Sequence, residues 1–316
     1  MTNSIPGIHH ITAIAGPAQE NLDFYAEGLG LRLVKTTVNF DDPGTYHFYF
    51  GDAVGRPGSI LTFFPWAHAA PGQTAAGTVS ATAFAVPDGA LAFWGERLEA
   101  IGARRVTEPV ERFGVPVLRF RDPHGLPLEL VATTEAGERG AWTTNAVGAP
   151  HAIRGFHSAT LALRDVGPTA ELLTDVFGFA AVGEEDGRYR FAGDGEWGHL
   201  VDLVASDRAA RMGAGAVHHI AFRARDDEEQ KAWQARLRAR GFHVTEVKDR
   251  QYFKSIYFRE PGGVLFEIAT DAPGFLRDEA EEELGRELKL PPWLEVRRAE
   301  IERRLPPITY PASSAR

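Results

Sequence analysis

Ser255-Ile-Tyr-Phe-Arg-Glu-Pro-Gly-Gly-Val-Leu-Phe-Glu267-Ile268 decides the fold, because the chain contains this stretch twice. Its counterpart, Val117-Leu-Arg-Phe-Arg-Asp-Pro-His-Gly-Leu-Pro-Leu-Glu129-Leu130, aligns without gaps at an offset of 138 positions (267 less 129). The same offset pairs Val106-Thr-Glu108 with Val244-Thr-Glu246, Arg112 with Arg250, and Ala83-Phe84 with Ala221-Phe222. A second offset, of 148 positions (157 less 9), pairs Gly7-Ile-His9 with Gly155-Phe-His157 and Leu29-Gly-Leu31 with Phe177-Gly-Phe179. Repetition at this scale marks a supersecondary unit that buries its apolar face against copies of itself. The chain therefore reads as four modules, at about 7–65, 78–132, 155–205 and 215–270.

Each module follows one plan. A short apolar strand is followed by an amphipathic helix ending at a glycine, expected at 19–28, 90–102, 168–178 and 227–241. Leu91, Trp94, Leu98 and Ile101 keep the three-to-four spacing of one helix face. Three short strands follow, broken by turn signals such as Asp122-Pro-His-Gly125 and Glu260-Pro-Gly-Gly263. The fold class is α+β: four βαβββ modules in two domains forming half-open mixed-sheet barrels. The domains are expected at 1–134 and 152–273, joined through the aperiodic segment 133–151. Beyond 274 the pattern changes to a tail with charged helices expected at 278–290 and 294–305, covering the core through Trp293 and Leu294.

Composition narrows the chemistry. A hydrophobic content of 44% with 24% charged residues is that of a globular protein, and no run has the roughly 18 apolar residues of a membrane span. A net charge of −9 without a basic block argues against nucleic acid as a partner. The chain has no cysteine, so any metal must be held by His, Asp or Glu. The first residues lack a secretory pattern, and the cytoplasm is the expected location. A homo-oligomer is compatible with all of this.

Two histidine pairs stand in apolar first strands, in Ile8-His-His-Ile11 and Val217-His-His-Ile220. A buried imidazole needs a hydrogen-bond partner or a metal. Residues on the first and last strands of a module point into the half-barrel, which makes His10, His219 and Glu267 a candidate triad. Two imidazoles and a carboxylate on one face of a cation suit non-haem Fe(II); Zn(II) and Mn(II) are compatible with the same donors. The repeat is an internal control, since Ala81 stands at the counterpart of His219 and Ser158 at that of His10. Modules two and three thus lack the ligands, Glu129 reads as a structural carboxylate, and one metal per chain is expected. The neighbours His9 and His218 are expected at the rim. Arg250 and Tyr257 also stand out, with Arg250 equally readable as structural because Arg112 matches it. His47, His68, His124, His151, His199 and His243 read as ordinary histidines.

With these residues in place, the chain resembles the vicinal oxygen chelate superfamily of glyoxalases, bleomycin resistance proteins and extradiol dioxygenases. More narrowly, Ile8-His-His-Ile-Thr12, Val217-His-His219, Arg250-Gln-Tyr-Phe253 and Tyr257-Phe-Arg-Glu-Pro-Gly-Gly263 resemble the para-hydroquinone ring-cleaving dioxygenases. The likeness extends to Asn39-Phe-Asp-Asp-Pro-Gly-Thr-Tyr-His47 and to Leu288-Lys-Leu-Pro-Pro-Trp293. The resemblance implies an Fe(II) extradiol-type enzyme acting on a small aromatic diol and O2. It implies His10, His219 and Glu267 as iron ligands, with His9, Thr12, His218, Arg250 and Tyr257 around substrate and oxygen. The alternatives are a catechol extradiol dioxygenase, in which a ligand comes from the third module, a glyoxalase-type lyase or isomerase, and a drug-binding resistance protein. Where glyoxalase-type sites carry a further carboxylate, this chain has Ile60-Leu-Thr-Phe-Phe64.

Overall fold

Each module contributes four strands, and the free edge of its first strand is covered by the first strand of another module. The computed structural model describes residues 4–138 and 140–311. Module one contributes β1 (Ile8–Ala15), β2 (Arg32–Asn39), β3 (Asp42–Gly51) and β4 (Ile60–Pro65). Module two contributes β5 (Thr78–Pro87), β6 (Val110–Arg112), β7 (Val115–Arg121) and β8 (Pro127–Thr133). Module three supplies β9 (Phe156–Leu163), β10 (Ala180–Glu185), β11 (Arg188–Ala192) and β12 (Leu200–Ala205). Module four supplies β13 (Val217–Ala224), β14 (Lys248–Asp249), β15 (Lys254–Arg259) and β16 (Leu265–Thr270).

Within each module the first strand pairs in parallel with the last. The free edge of each first strand is then taken by another module. β1 joins β13 antiparallel, and β5 joins β9 antiparallel. Two eight-stranded sheets result, β14-β15-β16-β13-β1-β4-β3-β2 and β10-β11-β12-β9-β5-β8-β7-β6. Each curls into a half-barrel. Module one thus shares a sheet with module four, and module two with module three, so each sequence half lends one module to each sheet.

The crossover helices lie close to their expected positions. They are α1 (Ala18–Leu22), which widens into a π-helical turn at Asp23–Gly28, and α2 (Leu91–Ala100). Then come α3 (Gly167–Glu171), with a π-helical turn at Leu172–Val176, and α4 (Asp227–Ala239). The matching pairs Trp94 and Leu98, and Trp233 and Leu237, are buried as the helix face requires. Asp226 caps α4 by accepting the Glu229 N–H at 2.8 Å.

Polar latches tie each sequence half together across the two sheets. The Tyr25 hydroxyl donates to Asp122 in the β7–β8 turn at 3.0 Å, and the Thr169 hydroxyl donates to the equivalent Glu260 in the β15–β16 turn. Arg97 donates to the carbonyls of Glu27 and Gly28, and Arg236 to that of Asp175, each cation serving the C-terminal end of a neighbouring helix.

The tail departs from expectation in its first part. Segment 278–290 is not a helix but an extended run with one 3-10 turn at Glu281–Glu283. The acidic cluster there gains more by pairing than by coiling: Asp278 lies 2.6 Å from the buried Lys35 ammonium, and Glu279 also pairs with it. Gly285, at φ +77°, lies so close to β2 that a Cβ there would stand 1.9 Å from the Leu33 carbonyl oxygen. The second part is helical as expected, in α5 (Pro292–Glu295) and α6 (Arg298–Arg304). Leu294 is buried, whereas Trp293 is 46% exposed and packs edge-on against Phe40.

Candidate metal centre

The residues expected to ligate a metal converge where module one meets module four. His10 on β1, His219 on β13 and Glu267 on β16 are buried on the concave face of one sheet. His10 Nε2 and His219 Nε2 lie 3.3 Å apart; Glu267 Oε2 is 3.4 Å from the first and 2.9 Å from the second. Donors on one face of a cation with bonds of about 2.1 Å stand roughly 3 Å apart, so these side chains fit a divalent metal with its other positions open. No other cluster of three His or carboxylate donors occurs among the described residues. Burial opposes the charge on Glu267, but the facing imidazoles outweigh it and hold its carboxyl well below the usual carboxylate range. Burial lowers the His219 pKa. Both groups are thereby set in the forms a metal requires.

Each ligand histidine is preceded by another, and two β-bulges explain how neighbouring side chains reach one region. The β1–β13 register slips between Ile8 and His10, leaving His9 as the extra residue, and again at Ala13, leaving His218 extra on β13. A bulge re-aims the side chain it inserts. The His9 and His10 Nδ1 atoms are 2.9 Å apart, and those of His218 and His219 are 2.8 Å apart. With Nε2 of each ligand turned to the metal, its Nδ1–H donates to the preceding imidazole, which fixes tautomer and ring orientation. The β5–β9 seam repeats both bulges, at Ser80 and His157, where no ligand follows. The bulges therefore belong to the module, and the ligand histidine that follows each belongs to the site.

The two helper histidines part company beyond this. His218 borders the cavity of about 330 Å³ above the ligands; His9 does not, and lines a separate cavity of about 160 Å³ with Val54, Pro57 and Phe275. His9 meets the centre from behind His10, and its ring also packs on Phe253 of the main cavity wall, with centroids 5.2 Å apart. Burial and the neighbouring His219 push the His218 pKa down to about 4, leaving a neutral imidazole.

The cavity walls are aromatic, with Phe40, Phe64, Trp66 and Phe253 among them. On the module-four side, the Arg250 Nε–H donates to the Tyr257 hydroxyl at 3.2 Å and its Nη2 to Asp41 at 3.0 Å. Burial and the Glu267 charge raise the Tyr257 pKa well above its ordinary value, so the phenol stays protonated. Arg112, the counterpart of Arg250, instead grips Glu129 with bonds of 2.7 and 3.0 Å. Across that second half-barrel Arg190 grips Asp202 in the same way. Its inner face is thus tied up by ion pairs, and Glu129 is structurally engaged. Thr12 lies on the concave face beside the ligands and bonds Thr62 at 2.8 Å.

His47, read as an ordinary histidine, and Tyr49, which the sequence reading does not single out, belong to the cavity. His47 bonds Thr62 through Nε2 at 2.8 Å and the Tyr49 hydroxyl through Nδ1 at 2.9 Å, and both His47 and Tyr49 line the cavity. The signal was present in β3, where His47 and Tyr49 alternate with the core residues Tyr46, Phe48 and Phe50.

Comparison with known proteins identifies the family. The family model described as Glyoxalase/Bleomycin resistance protein/Dioxygenase superfamily matches residues 7–130 and 155–268. The chain is 51% identical over 308 residues to MhqO of Bacillus subtilis, named as a candidate ring-cleaving dioxygenase, covering 97% of this chain and 98% of that one. It is 36% identical over 308 residues to the chlorohydroquinone/hydroquinone 1,2-dioxygenase of Sphingobium indicum, covering 95% of each. A crystal structure of a candidate dioxygenase from Bacillus subtilis superposes with a TM-score of 0.94 at 50% identity, covering 98% of this chain and 99% of that one. The chain belongs to the glyoxalase, bleomycin resistance protein and dioxygenase superfamily, and within it to a group whose members are named for ring-cleaving dioxygenation.

Proposed function

We propose that this protein is an Fe(II)-dependent, extradiol-type dioxygenase that opens a hydroquinone-type ring and incorporates both atoms of O2. The observation that carries this reading is the buried His10–His219–Glu267 donor set, whose two histidines line an aromatic cavity. Ferrous iron held by these side chains supplies Lewis acidity toward a phenol oxygen and redox chemistry toward dioxygen. The residues supply the rest. Phe40, Phe64, Trp66 and Phe253 sandwich a planar ring and exclude water. His218, neutral and bordering the cavity, takes the proton that a ring hydroxyl loses as it becomes phenolate. Arg250 and the Tyr257 hydroxyl, already oriented by their mutual bond, stabilise negative charge that builds on oxygen during ring opening.

The test is oxygen uptake by protein reconstituted anaerobically with Fe(II), offered hydroquinone, catechol and the methylglyoxal–glutathione adduct in parallel. The expected result is stoichiometric uptake with hydroquinone, slower uptake with catechol, and none with the adduct. No uptake with either diol overturns the reading. Conversion of the adduct without oxygen places the protein with the glyoxalases instead.

A further inference from the structure

We propose that Tyr49, oriented by His47, is the specificity-determining residue that receives the second hydroxyl of a para-diol. The inference rests on the ring-cleaving reading above and names a feature of the substrate it acts on.

In a catechol the two oxygens are neighbours and can both sit at the metal. In a para-diol they lie at opposite ends of the ring, so the second oxygen is carried away from the ligands and into the aromatic cavity. A hydroxyl buried there without a partner costs roughly 1–3 kcal/mol by general experience with proteins. Selection for a para-diol therefore needs a polar group on a wall remote from the floor. On the opposite wall, Arg250 of module four donates to the Tyr257 hydroxyl and to Asp41 of module one, and this pair of Arg250 and Tyr257 serves the oxygens at the reacting end of the ring.

The module-one wall offers a different arrangement. Tyr49, Thr62, Thr12 and His219 occupy one cross-strand row over β3, β4, β1 and β13. Three strand spacings put Tyr49 about 14 Å from the ligand along the sheet, and the curl of the half-barrel brings its side chain back over the cavity. Phe253 marks the fold-over: its ring centroid lies 6.4 Å from that of Tyr49 and 4.9 Å from that of His10. Tyr49 is 1% exposed, yet its hydroxyl has a single partner among the described residues, His47 Nδ1 at 2.9 Å. A phenol hydroxyl offers one donor and two acceptor positions. Whichever way the proton lies between Tyr49 and His47, one direction of hydrogen bonding is left for a ligand. The His47 ring is itself fixed from the other side by Thr62, and Thr62 by Thr12. Burial pushes the Tyr49 pKa well up, so the group is a neutral hydrogen-bonding hydroxyl.

The experiment is anaerobic binding of hydroquinone and of phenol to the Fe(II)-loaded protein, in wild type and Tyr49→Phe. Phenol keeps the metal-binding hydroxyl and lacks the second one. The expected result is hydroquinone bound about tenfold tighter than phenol by wild type, with Tyr49→Phe abolishing that difference and leaving phenol affinity unchanged. Full iron content and unchanged phenol affinity report that the variant is folded; if it is not, His47→Gln, which keeps the phenol and removes its orienting imidazole, is put through the same comparison with the same expected loss of the difference. Equal wild-type affinities, or an equal loss for both ligands in a folded, iron-loaded variant, overturn the role of Tyr49 and leave the ring-cleaving reading standing. Binding of neither ligand by wild type overturns that reading and this inference with it.

Discussion

At the residue scale, the paired histidines divide their work by position on a bulge. His10 and His219 turn Nε2 toward each other and Glu267, where the proposed metal would be held, while His9 and His218 hold the other ring nitrogen. Because His9 stands off the main cavity, His9→Leu should lower iron affinity by about 10–100-fold, measured by chelator competition, in line with other residues that orient a metal ligand. Tyr257→Phe should instead leave iron affinity unchanged and lower kcat by about 100-fold, measured by oxygen uptake with hydroquinone. Equal effects of the two changes on iron affinity would contradict the division. A separate prediction concerns Asp122, whose carboxyl burial holds above its ordinary pKa. The folded state then binds this proton more tightly than the unfolded chain, so the charged carboxyl is a cost that disappears as pH falls through the folded value. The stability of wild type relative to Asp122→Asn should therefore rise as pH is lowered from 7 toward about 4, and remain flat above 7, in paired urea titrations. A flat difference throughout, or the opposite slope, contradicts it.

At the element scale, the repeat carries the argument. Strands, helices and module order were legible because Ser255–Ile268 and Val117–Leu130 repeat the same alternation and the same turn. The triad was legible for the same reason: where module four has His219, module two has Ala81. The bulges were not legible, since one inserted residue leaves the apolar pattern intact and shows only as a slip in register at His9, Ser80, His157 and His218. That is why His9 was expected at the rim. His47 and Tyr49 are not marked out by the sequence pattern, because they sit on the third strand of their module, away from the first and last strands that carry the triad. The second half-barrel supplies a clean prediction. Glu129→Gln breaks the paired bonds to Arg112 and should destabilise the protein by about 2 kcal/mol in urea, with bound iron unchanged. Loss of iron from this variant would mean that Glu129 serves the centre.

At the scale of the whole molecule, the chain closes on itself. Module four returns to pair with module one, so the ligands come from opposite ends of the four-module run. The tail then closes the concave side next to the ligands: Phe275 packs on Tyr49 and Tyr252, and Lys35 is clamped by Asp278 and Glu279. This part was the least legible, because the acidic run looks helical until Lys35 and the Leu33 carbonyl are placed beside it. Phe275→Ala should cost about 3 kcal/mol, read in the same urea titrations, as for other buried aromatic rings. The most direct test of the central claim, one centre built by the first and last modules, is elemental analysis of bound iron after anaerobic reconstitution of wild type, His10→Ala, Glu267→Gln and Glu129→Gln. One iron per chain is predicted for wild type and Glu129→Gln, and none for His10→Ala and Glu267→Gln. Iron retained at full occupancy by either of the last two, or two irons in wild type, would contradict it.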